Sequence, residues 1–157
     1  MSVPAKRFLA SAALVALLCA VPARASAPAG RFTVSAGVAA TRVVHDDKTG
    51  LNWQQAVSTT TYTYADAVTY CSGNAAGLAG SGWRLPAIKE LQTLIDDSVA
   101  LPGPTIDATA FPSTPGDAFW SSTPIVPNKT DVWAGMFYHA ATGTRNMSLT
   151  AYVRCVR

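Results

Sequence analysis

Apolar and polar positions alternate over residues 32–38, where Phe32, Val34 and Val38 predict a strand, and residues 41–45 form a second short strand candidate. Asp46-Asp47-Lys48-Thr49-Gly50 then reads as a polar turn ending in glycine. Residues 51–54 resume as a strand, so the three segments predict a hairpin. From Thr63 the period changes. Tyr64, Ala67, Val68 and Cys71 fall at i, i+3, i+4 and i+7, and Thr63 with Asp66 three residues on has the form of a capping box, which predicts a helix with Cys71 on its buried face. Four glycines over 72–82 predict a loop. Pro86 suits a first helical turn, and Ile88, Leu91, Leu94 and Ile95 predict a second helix running to Asp96.

Between residues 97 and 127 lie six of the ten prolines, which argues for ordered irregular loop. A short strand over 119–122 is possible within it. Three more strand candidates follow at 131–138, 143–148 and 151–156, with Thr142-Gly143-Thr144 as the expected hairpin turn. The sum is an α+β pattern.

The amino terminus changes the meaning of the charge. Lys6 and Arg7, the uncharged and mostly apolar run 8–21, and Ala23-Arg24-Ala25 predict a secretory leader over 1–25, cleaved before Ser26. Residues 26–31 then read as a flexible N-terminus and 32–157 as the folded domain. The chain carries 12 Lys plus Arg against 9 Asp plus Glu, and all three excess cations lie in the leader, so the mature chain is neutral. A nucleic-acid partner working through a broad positive field is excluded, and no membrane anchor is expected after cleavage. Cys19 belongs to the leader. The two remaining cysteines, Cys71 and Cys155, in a chain bound for an oxidising compartment, predict one disulfide that brings the ends of the domain together.

Candidate chemistry is sparse. His45 and His139 belong to no metal-ligand pattern, and His45-Asp46-Asp47 reads as a solvated turn, so neither a metal nor a cofactor is expected. Ser81 lacks the GxSxG context of a hydrolase nucleophile, and the glycines around it have the wrong order for a dinucleotide loop. Asp96-Asp97, Asp107 and Asp117 could in principle supply a glycosidase pair, although aspartates in such positions more often cap turns. Trp53, Trp83 and Trp120 read as core. Asn128, Lys129, Tyr138 and Arg145 form the candidate ligand-binding rim.

An ordered set of phrases carries more information than any of these. They are Asp47-Lys48-Thr49-Gly50-Leu51-Asn52-Trp53, Gly82-Trp83-Arg84-Leu85-Pro86 with Glu90-Leu91, Phe119-Trp120-Ser121-Ser122, and Val153-Arg154-Cys155-Val156-Arg157. Together they resemble the bacterial domain family named for the C-terminal domain of the Legionella collagen-like protein, Lcl. The resemblance marks Gly50, Leu51, Trp53, Trp83, Arg84, Leu85, Pro86, Trp120, Ser121, Ser122 and Arg154 as motif residues. It implies a C-type-lectin-like fold, with two helices flanking a small twisted, mainly antiparallel sheet, a long irregular loop region, and a helix cysteine bonded to one in the last strand. In the protein that names the family the domain is implicated in adhesion to sulfated glycosaminoglycans. The implied function is therefore an exported, non-enzymatic binding or adhesion module for a glycan or a surface component. A hydrolase of envelope polysaccharide and a structural envelope protein binding another protein are the alternatives. Val126-Pro127-Asn128 and Trp133-Ala134-Gly135 depart from the calcium-dependent sugar motifs of lectin-like domains, so no such calcium site is expected.

Overall fold

A computed structural model describes Pro28 and residues 30–157 of the chain. The leader expected over 1–25, with Cys19 in it, lies outside the described residues. Two antiparallel three-stranded sheets and two helices make the α+β domain. The first sheet has the order β1 (Phe32–Val34), β2 (Val43–Asp46), β3 (Asn52–Gln54). Helices α1 (Tyr64–Ser72) and α2 (Ile88–Gln92) follow, and β4 (Ala118–Pro124), β5 (Asp131–Met136) and β6 (Ala141–Asn146) form the second sheet in that order. Two sheets thus replace the one the sequence led us to expect.

The hairpin between β2 and β3 turns where the polar run predicted, but Asp46 is fully buried and no part of a solvated turn. Its carboxylate accepts from Lys48 N (3.1 Å) and Thr49 Oγ1 (2.8 Å), closing the turn, and from Arg31 Nε and Nη2 (2.9 and 2.7 Å). Arg31 Nη2 also donates to the Thr93 carbonyl (2.7 Å), so this pair ties the first sheet to the end of α2. Burial pushes the Asp46 pKa up, but the hydrogen bonds from Arg31, Thr49 and Lys48, with the Arg31 charge, outweigh it and hold the pKa below the usual 3.8. A carboxylate with a depressed native pKa contributes stability that is complete above its ordinary pKa and lost as pH falls through the native one. Asp46→Asn is expected to cost about 2 kcal/mol at neutral pH. It should also flatten the fall in urea midpoint between pH 6 and pH 3; an unchanged acid slope would remove Asp46 from that account.

The first strand candidate stops at Val34, because Gly37 takes a positive φ of 123° and the chain makes a short 3₁₀ turn over Ala39–Thr41 before β2 begins. Helix α1 is capped as its sequence requires, Thr63 Oγ1 accepting from Asp66 N. It buries only Ala67 and Cys71. Val68 is 41% exposed, against expectation, because the helix meets the core through Ala67 and Cys71 flanked by Tyr64 and Tyr70, with Tyr64 edge-on to Trp120 (5.6 Å). Helix α2 is half as long as its apolar spacing implies. Leu94 is buried, yet Leu94 N and Ile95 N bond three residues back and Asp96 N turns away to Thr105 O, so the helix tightens and ends.

The two helices cover opposite faces of the second sheet. Ala118, Trp120, Val132 and Ala134 pack with Ala67 and Cys71 of α1, while the alternate residue Phe119 packs with Leu91 and Phe137. A Cβ on Gly135 would lie 3.4 Å from Leu91 Cδ1, which places α2 directly on that strand. The expected hairpin turn at Thr142-Gly143-Thr144 is not a turn. Gly143 sits within β6 opposite Ala134, and the chain reverses over 137–140 with Ala140 at φ 53°. Gly143 serves close packing instead, since a Cβ there would meet Met136 Cε at 2.5 Å.

Residues 151–156 run extended but form no continuous strand, because their neighbours change every few residues. Ala151 pairs with Tyr62, Tyr152 with Phe119, and Val156 with both Trp53 and Arg84. The tail therefore stitches the second sheet to the first. Cys155 bonds to Cys71 of α1, as expected.

Candidate functional site

The motif residues build the scaffold. Trp53 and Trp120 are fully buried and Trp83 and Leu85 nearly so. Gly50 takes the positive φ (73°) that the hairpin needs, and Leu51 packs against the Trp53 core. Arg84 grips Glu90 with two 2.7 Å bonds, and Glu90 Oε2 also accepts from Ala87 N (2.7 Å), holding the first turn of α2. The Arg84 hydrogen bond holds the Glu90 pKa below its usual value, with burial opposing. Strand β4 bulges between Trp120 and Pro124, so that residues 121–123 oppose Trp133 alone. The bulge is used: Ser121 Oγ donates to the Trp133 carbonyl (2.5 Å), Ser122 N and Oγ both reach Pro86 O (2.8 and 3.3 Å), and Thr123 Oγ1 accepts from Ile88 N (2.9 Å). The side-chain cap of α2 thus comes from a strand 35 residues away.

Arg154 is the most constrained of these residues. Its guanidinium is fully buried, donates to the carbonyls of Gln54 and Gln55 and to Thr114 Oγ1 (2.8 Å each), and lies 4.6 Å from the Phe111 ring centroid. No carboxylate pairs with it among the described residues, and burial pushes its pKa down to about 9.

The predicted ligand rim separates into two places. Asn128, Lys129 and Arg145 gather at the end of the sheet where β5 begins. There Asn128 bonds Asp131 and Thr130, Arg145 donates to the Thr150 carbonyl, and Lys129 is exposed. With Asp131 among them these residues make no concentrated positive patch. Tyr138 lies beyond the other end of β5, about 17 Å or more along the strand, at the tip of the β5–β6 hairpin. It is 42% exposed and stands edge-on to the exposed His139 (4.6 Å).

That tip joins the long loop. Gly103 N donates to Tyr138 O (3.0 Å), and Thr105 donates through N and Oγ1 to Phe137 O (2.9 and 2.7 Å). Beside this junction is an open cleft of about 360 Å³ lined by Asp96, Val99, Pro104, Ile106, Asp107 and Thr109, among others. Asp107 Oδ1 accepts from Thr109 N (2.8 Å) and Ala110 N (2.9 Å), and Asp96 Oδ1 from Ser98 N and Oγ. Asp117 accepts from Ala118 N (2.6 Å). Asp97 lines a smaller groove of about 280 Å³ with Gln92, Ile95 and Thr142. The apolar part of the cleft, Val99 and Ile106, had no periodic signal in the sequence; the flanking aspartates Asp96 and Asp107 were its visible mark. Among the described residues no group of three or more His, Cys, Asp or Glu could hold a metal ion, and no helix is long and apolar enough to cross a membrane.

The scaffold accounts for the motif set, all of which lies between residues 50 and 154. No curated protein matches the chain. The sequence model of the Lcl C-terminal domain matches residues 42–157, which spans the hairpin, both helices, the loop and the tail. The chain therefore belongs to the Lcl C-terminal domain family.

Proposed function

We propose that the protein is an exported, non-enzymatic binding module of C-type-lectin-like architecture, and that a glycan or a glycan-bearing surface component occupies the cleft within the long loop, lined by residues between Asp96 and Thr109. The observation that carries this reading is the division of labour between residues. The motif side chains are spent on the scaffold, whereas Val99, Pro104 and Ile106 offer an apolar wall beside the carboxylates of Asp96 and Asp107. Sugar rings are held by such combinations of apolar surface and hydrogen-bond acceptors. The lining contains acidic groups and no Lys or Arg, so it favours neutral or amino sugars over polyanions. Export is supported by the disulfide, which persists in oxidising compartments.

A glycan array probed with the protein and with Ala108→Arg, which fills the exposed mouth of the cleft, tests the proposal. Binding to neutral or amino sugars that falls by about tenfold or more in the variant, with an unchanged melting temperature, is the expected result. Release of product from envelope polysaccharide, abolished in Asp107→Asn, would replace this reading with the hydrolase.

A further inference from the structure

A second polar feature lies on the other sheet, among residues that the loop cleft does not use. Strand pairing sets Thr33 opposite His45, His45 opposite Asn52, and Asn52 in a double backbone hydrogen bond with Arg157. Residues paired in this way project to one face, so Thr33, His45, Asn52 and Arg157 form a row across the three strands of the first sheet and the end of the tail beside β3. The alternate residues Val44, Trp53 and Val156 face the core. Over the row is an open groove of about 250 Å³, walled by Ala79 of the loop after α1.

The row is built to present donors at one end. His45 Nδ1 lies 3.1 Å from Asn52 Oδ1, a contact that requires the proton on Nδ1 and turns the Asn52 amide so that its NH₂ group is left over. Arg157 carries its guanidinium 5.4 Å from the Trp83 ring centroid and against Gly80. A Cβ on Gly80 would lie 2.8 Å from Arg157 Cζ, so only glycine lets the guanidinium rest there. Among the described residues no carboxylate pairs with it; the ion pairs of the other arginines are Arg31–Asp46 and Arg84–Glu90. Asp47, which follows β2, is turned to Thr33 Oγ1 (3.3 Å) and His45 Nε2 (3.7 Å) on the β1 side.

We propose that Asn52 and Arg157 form a binding site for a carboxylate group on the outer face of the β1-β2-β3 sheet. A guanidinium braced on an aromatic face presents its fork edge-on, the geometry that matches a planar carboxylate with two parallel bonds, and the Asn52 amide supplies a further donor. The groove is smaller than the usual pocket for a whole drug-sized ligand. It accepts one acidic head, either a free carboxylate or the carboxylate of a uronic acid.

Side-chain amide and guanidine NMR resonances of the isotopically labelled protein, titrated with glucuronate, acetate, glucose and inorganic sulfate, test the site. Saturable shifts of the Asn52 NH₂ and Arg157 Nε–H signals with glucuronate and acetate, and none with glucose, are expected. Tighter binding of glucuronate than of acetate would assign the source to an acidic sugar, and equal binding to a free carboxylate. Arg157→Met should weaken binding about tenfold or more with the melting temperature unchanged, and Arg157→Lys should retain part of it. His45→Ala should weaken it by freeing the amide. Shifts that persist in Arg157→Met, or sulfate saturating the same residues at an equal concentration, would overturn the assignment. Loss of this site leaves the loop cleft untouched, so the two proposals fail separately.

Discussion

Reduction of the Cys71–Cys155 bond will lower the unfolding free energy by about 4–5 kcal/mol, as chain entropy predicts for a closed loop of this length. The sequence separation is 84 residues, so the unfolded chain regains the freedom of more than half the domain when the bond opens. For a domain whose whole stability is typically about 5–15 kcal/mol, that is a large share. The tail gives the loss a particular shape. It holds Ala151 to Tyr62, Tyr152 to β4 and Val156 to Trp53 and Arg84, and the disulfide is its only covalent fastening to α1. Chemical denaturation with and without reductant should show the midpoint fall. Cys71→Ala with Cys155→Ala should reproduce it with a further penalty for the small cavity at two almost fully buried positions. A shift below about 1 kcal/mol would mean that the tail is held by its backbone pairings alone.

What could be read from the sequence was what local chemistry decides. Thr63 caps α1 and Asp46 through Gly50 turn the first hairpin because each needs only neighbours within a few residues. The disulfide was legible because two cysteines allow one pairing. The misplaced second hairpin shows the opposite case. Gly143 has every turn propensity, yet the register of β5 against β6 and the bulk of Met136 put it inside a strand. That shift carried Tyr138 to one end of the sheet and left Arg145 at the other, so the expected rim came apart. The cap of α2 by Thr123 and the burial of Asp46 by Arg31 depend on residues far away in the chain, and no periodicity announces them. The motif set was legible as a family because its side chains are the fixed part of the fold, whereas the loop cleft is lined by residues outside it.

Arg154→Ala is expected to destabilise the protein by about 4 kcal/mol, through mechanisms that a neutral truncation elsewhere in the core would not combine. The substitution strands the carbonyls of Gln54 and Gln55 and the hydroxyl of Thr114 in a space closed to water, and it opens a cavity against Phe111 and Phe119. Burying the guanidinium is itself costly, as its depressed pKa of about 9 records, although it remains cationic at neutral pH. Arg154→Met separates the two contributions. It fills much of the volume and removes the buried charge but leaves the three acceptors bare, so a smaller loss of about 2 kcal/mol follows. The more telling consequence is local. Arg154 is the link by which the tail holds the loop: Thr114 and Phe111 lie on the segment that also carries Ile106 and Asp107 of the cleft. In both variants amide hydrogen exchange over residues 105–114 should therefore quicken more than in β4 or β5, and the glycan binding proposed for the cleft should weaken even where the protein remains folded. Uniform exchange across the domain, with the loop no faster than the strands, would show that the loop is ordered by its own turns and that Arg154 serves the core alone.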